Sequence, residues 1–206
     1  AATDWVMRSY FGRINLSWAD KYLFEGNIRR DGSSRFHKNH RWGTFPSFSL
    51  GWRISEENFL KSVKWINMMK LRFSWGALGN NAVDNYEYQS VYNKDNYILG
   101  NAVMQGLAQT QLANAMVSWE TTYVTNIGLD FNLFGSKLDG TIDVFNKDTR
   151  DILIDLPAPL LVGNASIPTQ NAARVRNKGI EMNLKWNHKI GKVDYFVGGN
   201  FTFIDN

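Results

Sequence analysis

The residues of this sequence best suited to acid–base or metal chemistry are its three histidines and its 19 carboxylates; there is no cysteine. His37 and His40 are three apart, with Asp31 shortly before them. Imidazole and carboxylate are ordinary metal ligands. However, no Glu follows His37 as in zinc proteases, and the polar stretch 31–40 reads as a loop that fixes no geometry. Solvated loop histidines are the better reading, and no metal site is expected. His188 falls in a predicted tight turn with no evident partner. Carboxylates gather at Asp148, Asp151 and Asp155, and at Glu56-Glu57. Glycoside cleavage needs two carboxylates about 5–9 Å apart across a sugar. Here the first group lies beside a long loop. The second opens a predicted short capped helix, Ser55-Glu56-Glu57 before Phe59-Leu60, where acids suit the helix dipole. No Ser–His–Asp set is suggested, and Gly76-Ala77-Leu78-Gly79-Asn80-Asn81 lacks the Lys-Ser/Thr of a phosphate loop. Glycosylation-type triplets at Asn164 and Asn200 arise easily by chance. The reading is therefore no enzyme and no cofactor.

The aromatic residues are more informative. Tyr86, Tyr88, Tyr92 and Tyr97 lie among Asn and Gln in a stretch read as the longest loop. Flat apolar faces rimmed by amides suit sugar rings, which makes these four the candidate ligand-binding residues. They fit two other roles equally: packing the loop on itself, and contact with a protein partner.

The elements that position these residues follow from a period of two. The chain has 206 residues, 44% of them hydrophobic and 14% aromatic, with a net charge of +4. Such a chain can bury ample apolar surface, which argues against disorder. A collagen-like chain is excluded, with 17 Gly, 4 Pro and no triplet repeat. No run of about 18 apolar residues exists to span a membrane as a helix. Lys and Arg are scattered rather than clustered, which argues against nucleic acid as a partner.

Alternation, by contrast, is pervasive. Tyr10, Gly12, Ile14, Leu16 and Trp18 oppose Arg13, Asn15 and Ser17. The same holds around Phe24–Ile28, Trp42–Trp52, Leu71–Trp75, Tyr123–Leu133, Leu138–Val144, Ile180–Trp186 and Val193–Phe203. This predicts about eight antiparallel strands of roughly 10–13 residues. Soluble strands average about 5–6 residues, whereas tilted membrane strands need roughly 9–11. Ala19–Lys21, Phe134–Lys137 and His188–Gly191 read as tight connections. Stretches 31–40, 77–119 and 150–177 read as long ones. Long loops at one end and short turns at the other are the asymmetry of outer-membrane barrels. Trp18, Tyr22, Trp52, Phe134, Trp186 and Tyr195 would lie at the short-turn end, with Tyr10, Trp42, Trp75 and Tyr123 at the other, as two aromatic girdles. The other face, with Arg13, Glu25, Arg29, Arg53, Arg72, Asp143, Glu181, Lys185 and Asp194, would be a wet inner wall. The competing reading is a soluble carbohydrate-binding or adhesive β-domain, its apolar face buried between two sheets.

Specific stretches narrow this further. They are Arg29–Phe36, Arg41–Glu57 (Arg-Trp-Gly-Thr-Phe-Pro-Ser-Phe-Ser-Leu-Gly-Trp-Arg-Ile-Ser-Glu-Glu), Leu71–Asn80, Trp119-Glu120-Thr121-Thr122, Asn126–Phe131 and Asn177-Lys178-Gly179-Ile180-Glu181. In this order the set closely resembles the SusC/RagA family of TonB-dependent outer-membrane transporters of Bacteroidetes-type bacteria. The resemblance covers nearly the whole chain. It implies a 22-stranded multi-pass transmembrane β-barrel in outer-membrane lipid, with an N-terminal plug and long extracellular loops. It also implies a SusD-like surface lipoprotein as partner. Import of oligosaccharides, or of peptides, would be driven through TonB. On that basis residues 1–206 are expected to be a partial barrel domain, with the plug domain, the TonB box and the final strands absent. Eight strands cut from a larger barrel would have two open edges, so the segment alone is not expected to insert and function.

Overall fold

The computed structural model describes residues 3–157, 163 and 165–206. Asn164 of the first glycosylation-type triplet lies outside them. Ten strands are numbered in chain order: β1 (Met7–Trp18), β2 (Tyr22–Ser33), β3 (Trp42–Arg53), β4 (Ile66–Asn80), β5 (Val91–Leu99), β6 (Ala102–Gln111), β7 (Glu120–Leu133), β8 (Leu138–Ile154), β9 (Gln170–Ile190) and β10 (Val193–Asp205). Eight of them form one antiparallel sheet in the order β1-β2-β3-β4-β7-β8-β9-β10, and β5 and β6 form a separate hairpin. The sheet is open, with β1 and β10 as its edges.

The alternation explains the register. Across the sheet, Leu16, Phe24, Leu50, Phe73, Ile127, Val144, Ile180 and Phe203 are consecutive cross-strand partners. One residue away runs Ser17, Leu23, Gly51, Arg72, Gly128, Asp143, Glu181 and Thr202. A one-residue slip would exchange these rows between faces, so the pattern pins the pairing. The apolar row is exposed: Leu16 is 60% accessible and Phe203 57%. A soluble sandwich would have buried that face. Here no second sheet packs on it, and the two-stranded hairpin is the only other sheet among the described residues.

The expected aromatic bands form. Trp18, Tyr22 and Trp52 stack in series, with centroids 5.5 and 6.5 Å apart, and Trp65 stacks on Phe134 at 5.8 Å. At the opposite end Tyr10 stacks on Trp42 (5.9 Å) and Trp75 on Tyr123 (6.2 Å).

Four expectations need correction. The stretch 77–119 is not one long loop, because β4 runs on to Asn80 and β5 and β6 occupy much of the rest. The connection expected over 150–177 is shorter, because β8 continues to Ile154 and β9 begins at Gln170. His188 sits within β9, facing Tyr195 edge-on at 5.7 Å, and Gly191 at φ +60° makes the turn beyond it. The capped helix is a single 3-10 turn, Ile54–Glu56, with no side-chain cap. Glu57 lies just past it and has a different task.

Candidate functional site

The polar face is a wall of paired charges. Arg72 on β4 donates from Nε to Asp130 on β7 (2.8 and 2.9 Å) and from Nη2 to Asp143 on β8 (3.0 and 3.1 Å). To reach β8 the guanidinium must cross β7, and it does so over Gly128. A Cβ there would lie 2.6 Å from Arg72 Nη2 and 2.7 Å from Cζ. Asp139 accepts from Asn132 and Asn187, and Arg13 Nε donates to Asn27 at 2.7 Å. A depression of about 720 Å³ at the short-turn half brings Asp130, Asp139, Asn183 and Lys185 together with the apolar Met68 and Phe196. This surface offers hydrogen bonds of both signs to water or to a polar occupant. It contains no nucleophile–base pair.

At the short-turn end, Glu57 is a clasp. Its carboxylate accepts from Tyr22 Oη (2.7 Å), Lys21 Nζ (2.9 Å) and Trp52 Nε1 (3.1 Å). It therefore joins the β1–β2 turn, the end of β3 and the connection to β4. These donors hold its carboxyl down from the usual 4.5 to about 2, the Tyr22 hydroxyl contributing most, then Lys21 and Trp52. A carboxylate with a depressed folded-state pKa stabilises fully above its unfolded pKa and loses that contribution as pH falls through the folded one. Glu57→Gln is thus expected to lower the thermal unfolding midpoint in detergent near pH 7. The gap from the unaltered protein should hold down to about pH 4.5 and close toward pH 2. A melting series across that range checks this, and a gap independent of pH would contradict it.

At the long-loop end, separate stretches of sequence converge on one core. Phe36 and Val117 are fully buried, with Phe45, Val83 and Trp119 around them. Trp119 packs on Phe36 (5.3 Å) and edge-on to Phe45 (5.4 Å), and its Nε1 donates to the Arg41 carbonyl at 3.0 Å. A Cβ at Gly79 would run into the Phe45 ring. Arg35 donates to the Asn81 carbonyl and to Asn85 Oδ1, both at 3.1 Å, and covers Trp5. Glu120 accepts from the Leu153 N–H at 3.1 Å. Sequence reasoning used these stretches only as family marks and missed their mutual packing. Beside this core, buried Glu87 accepts from the Thr169 N–H (2.7 Å), and the Thr169 hydroxyl also meets Asp155 (2.6 Å).

The residues singled out by chemistry do not assemble. Asp31 is buried and paired with Arg29 at 2.7 Å, and His37 faces Tyr88 edge-on at 6.1 Å. Among the described residues no group of three His, Asp or Glu side chains could hold a metal ion. Asp148 is enclosed by arginines, whereas Asp155 belongs to the Thr169 cluster. Tyr86, at φ +68°, donates to the Asp4 carbonyl at 3.1 Å. Tyr92 and Tyr97 are both on β5, about half exposed, and being five residues apart they face opposite sides of the hairpin.

The model of the TonB dependent receptor-like β-barrel family matches residues 2–206. The chain belongs to that family. TonB-dependent receptor SusC of Bacteroides thetaiotaomicron is 36% identical over 222 residues, covering 97% of this chain and 22% of that protein. TonB-dependent receptor P39 of Formosa agariphila is 40% identical over 183 residues, 89% of this chain and 17% of the relative. The RagAB peptide importer in its closed-closed state superimposes with a TM-score of 0.86 at 29% identity, over 96% of this chain and 22% of that one. The chain is therefore SusC/RagA-like, and spans about a fifth of the length of these relatives. The family is one of outer-membrane receptors and transporters, not enzymes.

Proposed function

We propose that residues 1–206 are one stretch of the wall of a larger multi-pass barrel that imports a large hydrophilic nutrient, an oligosaccharide or a peptide, across the outer membrane. In this reading TonB supplies the energy through a plug domain and TonB box carried elsewhere in the parent protein. The final strands also lie elsewhere, and a SusD-like lipoprotein covers the extracellular mouth. One observation carries it: an open eight-stranded sheet with a broad apolar band left exposed on one face and charge pairs on the opposite face. Lipid solvates the first kind of face and water in a lumen the second. Open edges are not tolerated in lipid, so β1 and β10 need further strands. The likeness to the RagAB peptide importer supports peptide as one cargo class.

Reconstituting the chain alone in liposomes is expected to give no specific solute flux, and reconstituting the full-length protein should give TonB-dependent uptake in cells. Specific flux through the isolated chain would sink this reading. The half-exposed Tyr92 and Tyr97 on the β5–β6 hairpin, with Tyr86 and Tyr88 in the stretch before it, are assigned to contact with cargo or lipoprotein. Replacing Tyr92 and Tyr97 together with Ala in the full-length protein should lower uptake several-fold without altering barrel folding. Unchanged uptake would remove them from the cargo path.

A further inference from the structure

Basic residues on the apolar face are confined to one end of it. By strand phase, Arg8, Arg30, Arg150, Arg174, Arg176 and Lys178 share the face of Ile14, Leu16, Ile127 and Ile180. All of them lie at the long-loop end. The short-turn half of that face presents Trp18, Leu50, Leu71, Leu129, Leu184 and Val197, with no Lys or Arg beside them.

Three of the arginines form a built cluster. Asp148 on β8 is 4% exposed and accepts from Arg150 Nη2 (2.7 Å) and Arg174 Nη2 (2.6 Å), with Arg176 Nη2 at 3.7 Å. One carboxylate faces three guanidiniums, leaving a local charge of about +2, while each arginine side chain stays about half exposed. Arg150 also lies over the Tyr123 ring at 5.0 Å, and Tyr123 stacks on Trp75 in the long-loop girdle. The cluster thus sits where the aromatic band ends. Beside it is a groove of about 400 Å³, with Lys178 and its cross-strand partner Asp205 at one end and Ile127, Val144, Ile180 and Phe203 along it.

We propose that this cluster and groove bind one phosphorylated glycolipid of the outer leaflet, with the phosphate on Arg150, Arg174 and Arg176 and an acyl chain along the groove. Asp148 pre-orients the guanidiniums, whose free N–H groups suit bidentate pairing with phosphate oxygens. Lys178 stands between headgroup and chain. The girdle sets the depth, because Trp and Tyr lie at headgroup level. The absence of cations from the other half of the face makes the site specific to one leaflet. The proposal rests on the membrane placement given above.

The test uses the full-length protein folded in detergent and native mass spectrometry, with monophosphorylated lipid A, the same lipid after dephosphorylation, and inorganic phosphate as probes. The unaltered protein should retain the phosphorylated lipid at least about tenfold better than the dephosphorylated one, and millimolar inorganic phosphate should not displace it. R174Q/R176Q should reduce retention to the dephosphorylated level, with R174K/R176K intermediate. Equal retention of the two lipids by the unaltered protein overturns the proposal without needing any variant. So does unchanged retention by R174Q/R176Q. Displacement by inorganic phosphate also overturns it, leaving a simple anion site. Heat-modifiable migration of the folded barrel is read in parallel: its absence would count against the membrane placement itself, whereas a folded barrel without lipid preference defeats only the lipid site.

Discussion

Trp119→Ala is expected to cost about 3–5 kcal/mol, the range for removing a large buried aromatic, and to loosen the long-loop end while leaving the sheet paired. The indole is 7% exposed and packs against both Phe36 and Phe45. Its N–H also satisfies the Arg41 carbonyl. Trp119→Phe separates the two contributions: most of the packing is kept, and the loss should be nearer 1 kcal/mol for the hydrogen bond. Urea unfolding of the protein in detergent measures both. Hydrogen exchange should show the damage at Ser33–Phe45 and Val117–Thr122, which this core joins. Equal and small losses for both variants would mean that the cluster does not hold this end together. The consequence would extend to uptake if the proposed function holds, because the β5–β6 hairpin that carries Tyr92 and Tyr97 emerges between Val83 and Val117, both core members.

The sheet was legible because lipid-facing and water-facing residues alternate strictly where both solvents are present. Ile14, Leu16 and Trp18 on β1, and Leu71, Phe73 and Trp75 on β4, take every second position, with Asn15 and Ser17, and Arg72 and Ser74, between them. Beyond the girdle both faces of a strand meet water or headgroups, and the pattern ceases to inform. That is why β8 past Asp148 and β9 before Asn177, which carry Arg150, Arg174 and Arg176, read as loop although they pair as strand. The β5–β6 hairpin was hidden for the same reason. Asn93, Lys94, Asp95 and Asn96 put polar groups on both faces. The one usable sign was Gly100-Asn101 between Ile98-Leu99 and Ala102-Val103, a two-residue hairpin turn with Gly100 at φ +64°. At the clasp, alternation says nothing of Glu57, because its donors Lys21, Tyr22 and Trp52 are neighbours only after β1, β2 and β3 have paired. The converging motifs at Trp119 belong to the same kind. Sequence order marks them, but their contacts exist only across strands.

The polar wall makes the second large prediction, and it turns on a glycine. Arg72 is the single cation shared by Asp130 and Asp143, and all three side chains are partly accessible, at 33, 22 and 18%. Water therefore screens the pairs, and their worth lies well below that of a dry ion pair. Arg72→Met removes both pairs and leaves two carboxylates facing each other on adjacent strands. A loss of about 1–3 kcal/mol is expected. Gly128→Ala leaves every charge in place but puts a methyl group where the guanidinium crosses β7 to meet Asp143, against both Asp143 Oδ1 and Arg72 Nη2. It should forfeit the Asp143 pair while the Asp130 pair, made before the crossing, survives. A double-mutant cycle distinguishes this from general strain. Asp143→Asn in the Gly128 background should weaken the protein, and the same change in Gly128→Ala should do little, because the contact is already lost. Urea midpoints of the four proteins give the coupling directly. If the two losses simply add, the methyl group acts through the backbone of β7 and not through the arginine. If they are coupled, the spacing of Arg72, Gly128, Asp130 and Asp143 is a device for carrying one positive charge across three strands of a wetted wall.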